Sequence, residues 1–195
     1  FRRFVRCVYD ETEDSVKDVF RRLSGSASAF DALVKWLTDN GYQYAFNPKN
    51  NNMEQSAITF MKTIDGSVPS GGFDIYDHTH IGVRMEFNAL EKPPQKFCLT
   101  IQKPREILNA FSGLPPEVQK FIVQHHCKCA GCGYCTQRSR GKNKPFTICA
   151  EYDGKTYPFC PIQHVYTYRW TELNDELKNG ITAYLDYLQN TIQAS

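Results

Sequence analysis

The spacing of the cysteines between His125 and Cys160 is the feature that most constrains how this chain can fold. The stretch holds six of the eight cysteines in the chain. Cys129, Cys132 and Cys135 form two overlapping CxxC motifs, with a glycine inside each motif. Two thiolates of a CxxC motif can reach the same zinc ion from one tight turn, which the glycines allow the backbone to make. The spacing therefore predicts a structural Zn2+ site.

A fourth ligand has to come from another part of the stretch. Residues 146–152 and 155–160 have the composition of strands, and the Asp-Gly pair between them is a strong signal for a two-residue hairpin turn. With a turn of that length, Cys149 and Cys160 lie on the same face of the hairpin. The preferred ligands are Cys129, Cys132, Cys135 and Cys160, and the reserves are Cys127, Cys149, His125 and His126.

Three other interpretations of the cysteines remain open, namely an iron–sulfur cluster, disulfide bonds and unligated thiols. Four cysteines within the nine residues 127–135 cannot all find partners at disulfide geometry without strain. No signal peptide is visible, although a disulfide-rich secreted protein would need one. In general form the layout resembles a zinc ribbon or zinc knuckle, but its crowded run of cysteines departs from two well-separated CxxC pairs.

Hydrophobic periodicity predicts an α+β fold for the rest of the chain. The predicted helices cover residues 12–23, 28–40, 105–111, 115–126 and 171–192, the last one capped by Thr171. The predicted strands outside the hairpin cover residues 42–46, 57–62, 73–76, 81–87, 97–101 and 164–170. Consecutive strands without crossover helices imply an antiparallel sheet of about five or six strands, with the helices grouped on one face.

The length of 195 residues suits one well-buried domain. We expect a single α+β domain over residues 1–195, with a zinc-knuckle β-hairpin subdomain at 125–162 inserted before the last strand and the C-terminal helix. The loop between Cys135 and Phe146 is too polar to fold by itself, so the metal would supply the folding free energy that this region otherwise lacks. Because the chain begins at Phe1 rather than at Met, we also expect further N-terminal sequence.

Basic charge is concentrated around the cysteine stretch. The formal net charge of the chain is +2, but residues 96–144 carry nine Lys and Arg against two Glu, which leaves this segment at +7 and the remainder at −5. Four of the cations alternate with small polar residues in one loop, namely Arg138, Arg140, Lys142 and Lys144. Such a loop is either a phosphate-contacting finger or a solvated connection.

Aromatic residues are more numerous in the predicted sheet than a small core needs. Arg84 and Glu86 lie side by side on the polar side of one strand, and a pocket walled by rings with one carboxylate could hold an aromatic or cationic ligand. The candidate ligand-binding residues are Glu86, Arg84, Tyr44, Tyr168 and Trp170. In this general character the sheet resembles the effector-binding domains of bacterial multidrug-responsive regulators, which implies a ligand-sensing role. The alternative is that the rings are ordinary core.

These patterns favour a binding domain over an enzyme. The sequence contains no nucleophile elbow, Walker loop or dinucleotide-binding glycine motif. It also contains no apolar run long enough to cross a membrane. We therefore expect a cytoplasmic, non-catalytic, zinc-stabilised domain that senses a small molecule or binds a protein. The alternative is a zinc-dependent nucleic-acid-binding protein that uses the basic loop at 138–144.

Overall fold

Two amphipathic helices open the part of the chain that the structure, a computed structural model, describes. That part comprises residues 13–47, 57–63, 80–88, 96–102, 106–126, 148–159 and 167–192. Helix α1 spans Glu13–Leu23 and helix α2 spans Ala27–Asp39. Phe20 of α1 and Leu33 of α2 are fully buried, so the apolar stripes seen in the sequence lie in the core, as predicted.

The turn between α1 and α2 places the start of α2 slightly earlier than its apolar stripe indicates. The sequence predicts a start near residue 28, but Ser26 caps the helix, because its Oγ accepts a hydrogen bond from the Ala29 N–H at 3.3 Å. Gly25 has a φ of +89°, a left-handed conformation that glycine adopts without strain. The cap therefore fixes the helix boundary more closely than hydrophobic periodicity does.

The C-terminus of α2 has the hydrogen bonds of a Schellman motif. The N–H of Gly41 bonds to the carbonyl of Thr38 at 3.0 Å, and the N–H of Tyr42 bonds to the carbonyl of Leu37 at 3.0 Å. Gly41 has a φ of +74°, as this motif requires. The predicted stop of the helix at this glycine is confirmed, and the motif leads the chain directly into the first strand.

Four strands follow, and each pairs antiparallel with the next. They are β1 (Gln43–Asn47), β2 (Ala57–Thr63), β3 (His80–Asn88) and β4 (Lys96–Gln102). Val83 and Met85 of β3 are fully buried, which confirms the predicted alternation along this strand. The mixed α+β class with antiparallel pairing is therefore as predicted, while the predicted strand at residues 73–76 lies outside the described residues.

The chain forms two compact units. The first unit comprises residues 1–102 with 169–195, and the second comprises residues 103–168. Within the second unit the structure contains helix α3 (Glu106–Asn109), a 3₁₀ turn (Phe111–Gly113), helix α4 (Pro116–His125) and the strands β5 (Ile148–Tyr152) and β6 (Lys155–Phe159). A single domain with a metal-binding subdomain at 125–162 stays a prediction.

The strands β5 and β6 form the predicted hairpin. Tyr152 pairs with Lys155 at its end, so the turn is the two residues Asp153 and Gly154. Both turn residues have positive φ, at 50° and 69°, the combination that a tight hairpin turn of the I′ type needs. The Asp-Gly signal in the sequence is thus confirmed.

From Arg169 onward the chain belongs to the first unit again. Strand β7 (Thr167–Trp170) completes the sheet order β1-β2-β3-β4-β7, and helix α5 (Asp175–Ile192) contacts β3 and α2. The N-cap prediction at Thr171 was wrong. Asn174 caps the helix, because its Oδ1 accepts the Leu177 N–H at 2.8 Å. The grouping of the helices on one face of the sheet stays a prediction.

Candidate metal centre and binding face

Two histidines at the C-terminus of helix α4 directly precede Cys127, the first cysteine of the stretch. His125 is half-buried, and its ring centroid lies 4.8 Å from that of Phe121. His126 is the C-cap residue, and its backbone N–H bonds to the Ile122 carbonyl at 2.8 Å. The side chain of His126 is buried, with 6% exposed. The two neighbouring imidazoles therefore have different surroundings.

The imidazole of His126 lies among rings from distant parts of the second unit. Its Nδ1 is 3.3 Å from the Oη of Tyr168. Its centroid is 5.0 Å from that of Phe159 and 5.9 Å from that of Tyr168, both in the edge-on arrangement that aromatic pairs favour. Because His126 precedes Cys127 and Phe159 precedes Cys160, this contact brings the two flanks of the cysteine stretch together.

The hairpin packs one of its faces within the second unit. Ala150 and Phe159 are buried on this face. The ring of Phe111, from the 3₁₀ turn, lies 5.8 Å from the ring of Phe159 and 6.5 Å from the ring of Tyr152, centroid to centroid. The aromatic residues of β5 and β6 therefore contribute to the core of this unit.

The other face of the hairpin is exposed. Cys149 lies on it, directly opposite Pro158, and carries a free thiol. Glu151 and Thr156 are exposed on the same face and are joined by a hydrogen bond from the Thr156 hydroxyl to the Glu151 carboxylate. The turn length on which the comparison of Cys149 with Cys160 depended is confirmed, while Cys160 lies outside the described residues.

Most of the predicted metal and phosphate ligands lie outside the described residues. These are Cys127, Cys129, Cys132, Cys135 and Cys160, together with Arg138, Arg140, Lys142 and Lys144. Among the residues that the structure describes, no three His, Cys, Asp or Glu side chains form a group that could hold a metal ion. The zinc site stays a prediction. The structure shows only that His126 and Phe159, which each precede a predicted or reserve cysteine ligand, are in contact.

The strand register separates the ligand-binding candidates of the first unit onto two faces of the sheet. Tyr44 pairs with Phe60, which pairs with Val83 on the next strand. Arg84 follows Val83, and successive residues of a strand lie on opposite faces, so Arg84 and Glu86 occupy the face opposite to Tyr44. The structure therefore does not bring Tyr44 together with Arg84 and Glu86.

The remaining ring candidates also have different surroundings. Tyr44 makes an edge-on contact with Phe60 at 5.3 Å, and the Nζ of Lys17 lies 4.5 Å from the centroid of the Tyr44 ring. Trp170 is half-buried in the first unit, whereas Tyr168 belongs to the second unit, where it contacts His126. Tyr44 is thus a ring that already lies against an ammonium group of its own chain.

A polar cluster that the sequence analysis missed lies between β2, α2 and α5. The Nζ of Lys62 donates to the carbonyl of Asn40 at 3.1 Å and to the Oε1 of Gln189 at 2.9 Å. Gln189 is buried, with 7% exposed. Lys62 and Gln189 are 127 residues apart, so no local pattern could have indicated this pair.

Tyr42 lies beside this cluster and is almost fully buried, with 5% exposed. Its hydroxyl has no hydrogen-bond partner within the described ranges. Burial raises the pKa of the Tyr42 phenol well above its ordinary value, and the carboxylate of Asp186 raises the pKa further. The phenol is therefore neutral throughout the physiological range, and it is a structural group of the core.

Comparison of the chain with models of protein families, with curated proteins and with solved structures found no match. None of the helices in the described segments is long and apolar enough to span a membrane.

Proposed function

We propose that this chain is a non-catalytic binding domain stabilised by one structural zinc ion, with Cys129, Cys132, Cys135 and Cys160 as ligands. The observation that carries the proposal is the contact between the rings of His126 and Phe159, whose centroids are 5.0 Å apart. Each of these residues directly precedes a cysteine, and adjacent Cα atoms are about 3.8 Å apart. The residues that precede the cysteine run and Cys160 are thus in contact with each other, which supports a metal site that takes ligands from both segments.

Zinc would have a clear physical role at this place. Four thiolates make a closed tetrahedral site of the structural kind. The 135–146 loop is too polar to bury a core of its own, so metal binding would supply its folding free energy. The aromatic packing of β5 and β6 around Phe159 then gives the metal-held segment a fixed base.

The binding role is assigned to the sheet face that carries Arg84 and the position of Glu86. Arg84 is half-buried, and Thr59, which pairs with it, is 5% exposed. A partly covered face with polar residues differs from an ordinary apolar core, and a carboxylate at position 86 would attract a cationic ligand whose ring the Arg84 guanidinium could stack on. A small molecule or a protein segment with such groups is the partner that we propose.

The zinc proposal is tested by elemental analysis of protein purified without added metal, where we expect about one zinc per chain. Cys132→Ser should remove the zinc and destabilise the second unit, as expected for the loss of a structural ligand. Cys149→Ser is the matched control, since it makes the same substitution on the exposed face of the hairpin. Iron in the purified protein, or no metal, would contradict the proposal, and zinc loss in the control alone would change the ligand set.

The binding proposal is tested by titrating the chain with a cationic aromatic dye such as rhodamine 6G. Glu86→Gln should weaken binding about tenfold, corresponding to about 1.4 kcal/mol. Glu117→Gln, which makes the same substitution at an exposed position in the first turn of α4, should leave affinity unchanged. Equal affinities in the wild type and both variants would remove Glu86 from the binding site.

Nucleic-acid binding is the second candidate function, and the +7 charge of residues 96–144 favours it. If the four cations of the loop contact phosphates of duplex DNA, log affinity should fall with log salt at a slope of about −3.6, at roughly −0.9 per phosphate. We expect only weak binding, because no aromatic residue alternates with these cations. Sub-micromolar binding at physiological salt that is lost on neutralising Arg138, Arg140, Lys142 and Lys144 would favour this candidate instead.

A further inference from the structure

We propose that His126 positions the zinc site without binding the metal, by holding together the two chain segments from which the ligands come. The inference rests on the proposed zinc site and deepens it. The sequence alone places His126 among the reserve ligands, because it is next to Cys127. The contacts of its imidazole assign it a different role.

The imidazole of His126 is built into the core of the second unit. It is 6% exposed, and the rings of Phe159 and Tyr168 pack against it edge-on, at interplanar angles of 63° and 80°. One ring nitrogen, Nδ1, lies beside the Tyr168 hydroxyl. The four cysteine thiolates of the proposed site would complete a tetrahedral zinc centre, which leaves no position in the coordination sphere for this ring.

These contacts join three segments that are far apart in the sequence. His126 is the C-cap of α4, Phe159 ends β6, and Tyr168 is 42 residues beyond His126. When one metal ion binds both the cysteine run and Cys160, the chain between them loses conformational entropy, because its two ends must be brought together. The aromatic contact holds these ends together before the metal arrives. This preorganisation strengthens metal binding without any added ligand.

Loss of the imidazole should therefore weaken zinc binding and leave the ligand set unchanged. Residues that support metal ligands from outside the coordination sphere typically change metal affinity by about 10–100-fold, and we expect a loss in this range for His126→Gln. His126→Phe keeps a ring between Phe159 and Tyr168, so it should restore most of the affinity. Tyr168→Phe removes only the hydroxyl and should cause a smaller loss.

The experiment uses the full chain and two readouts. Zinc affinity is measured by competition with a chromophoric chelator, and the ligand set is read from the absorption spectrum of the cobalt(II)-loaded protein. His80→Gln is the matched control, because it makes the same substitution in β3 of the first unit. We expect the same thiolate-to-cobalt bands in every variant, with reduced affinity in His126→Gln and unchanged affinity in His80→Gln.

Two results would overturn the inference. A cobalt spectrum that changes in His126→Phe would show that the imidazole is itself a ligand. Equal zinc affinity in the wild type, His126→Gln and His80→Gln would show that the ring has no influence on the site. If His126→Gln does not fold, Tyr168→Phe decides, since a zinc affinity equal to that of the wild type in this variant also overturns the inference. A wild-type chain that binds neither zinc nor cobalt removes the zinc proposal as well.

Discussion

Replacing Lys62 by Met should destabilise the first unit by about 2 kcal/mol. The ammonium group of Lys62 makes two hydrogen bonds, to the Asn40 carbonyl at the end of α2 and to the Gln189 carboxamide on α5. Methionine keeps most of the aliphatic stem and removes the charged donor, so the buried oxygen of Gln189 loses this partner. A hydrogen bond to a charged group contributes about 1.5–3 kcal/mol, and stranding a buried acceptor costs about 1–3 kcal/mol.

Two considerations set the expected value near the lower end of these ranges. Lys62 is half-buried, so water can partly replace its contacts. Its Nζ also lies 6.0 Å from the centroid of the Tyr42 ring, at the outer limit for a cation–π interaction. For a chain of this size about 2 kcal/mol corresponds to a fall in melting temperature of roughly 4–8 °C.

Lys35→Met provides a matched control on α2. The Nζ of Lys35 lies 2.6 Å from the Asp39 carboxylate in an exposed i,i+4 ion pair, and such surface pairs contribute about 0.3–0.5 kcal/mol. The same atoms are removed in both variants, so the comparison isolates the effect of burial and of the second partner.

Urea unfolding followed by tryptophan fluorescence suits this measurement. The chain has two tryptophans, Trp36 and Trp170, and both belong to the first unit. A double-mutant cycle with Gln189→Leu should give a coupling energy of about 1 kcal/mol or more, because the two side chains are in direct contact. If Lys62→Met destabilises the unit no more than Lys35→Met does, or if the cycle shows no coupling, the two hydrogen bonds of Lys62 do not contribute to stability.

Three further predictions concern single side chains. Tyr42→Phe should leave stability unchanged or raise it slightly, since it removes a buried hydroxyl without a partner in the described ranges. The folded-state pKa of this phenol lies above its unfolded value of about 10, so the contribution of the neutral phenol to the free energy of unfolding is intact below about pH 10 and is lost as the pH rises further. Tyr42→Phe should reduce this loss of stability at alkaline pH. Unfolding curves measured between pH 8 and 11 test it. Ser26→Ala removes the cap of α2 and should lower the free energy of unfolding in urea by about 1 kcal/mol. A change smaller than the experimental error would show that the cap does not stabilise the helix. Phe159→Ala should cost about 3–5 kcal/mol in the second unit, measured by near-ultraviolet circular dichroism, and retention of the native spectrum and midpoint would contradict its core role.

Local features of the fold could be predicted from the sequence because their causes are local. The left-handed glycine at the end of α2 and the Asp-Gly turn of the hairpin depend on a few adjacent residues. The alternation of Val83 and Met85 with Arg84 likewise follows from the two-residue period of a strand. Even here the capping residues Ser26 and Asn174 were displaced from the predicted starts, since a cap depends on the actual backbone turn and not on the apolar stripe.

The cysteine spacing on which the zinc proposal depends, and the charge distribution around it, can likewise be read from the sequence. Which side chains meet depends on how the chain is packed in three dimensions. Tyr44 and Arg84 could have shared a face, but the pairing offsets of β1, β2 and β3 put them on opposite faces. The physical reason is that periodicity fixes the faces within one strand, whereas the register between strands comes from the packing of the whole sheet. The same holds for Lys62 with Gln189 and for His126 with Tyr168, whose contacts form only when segments distant in sequence are packed together.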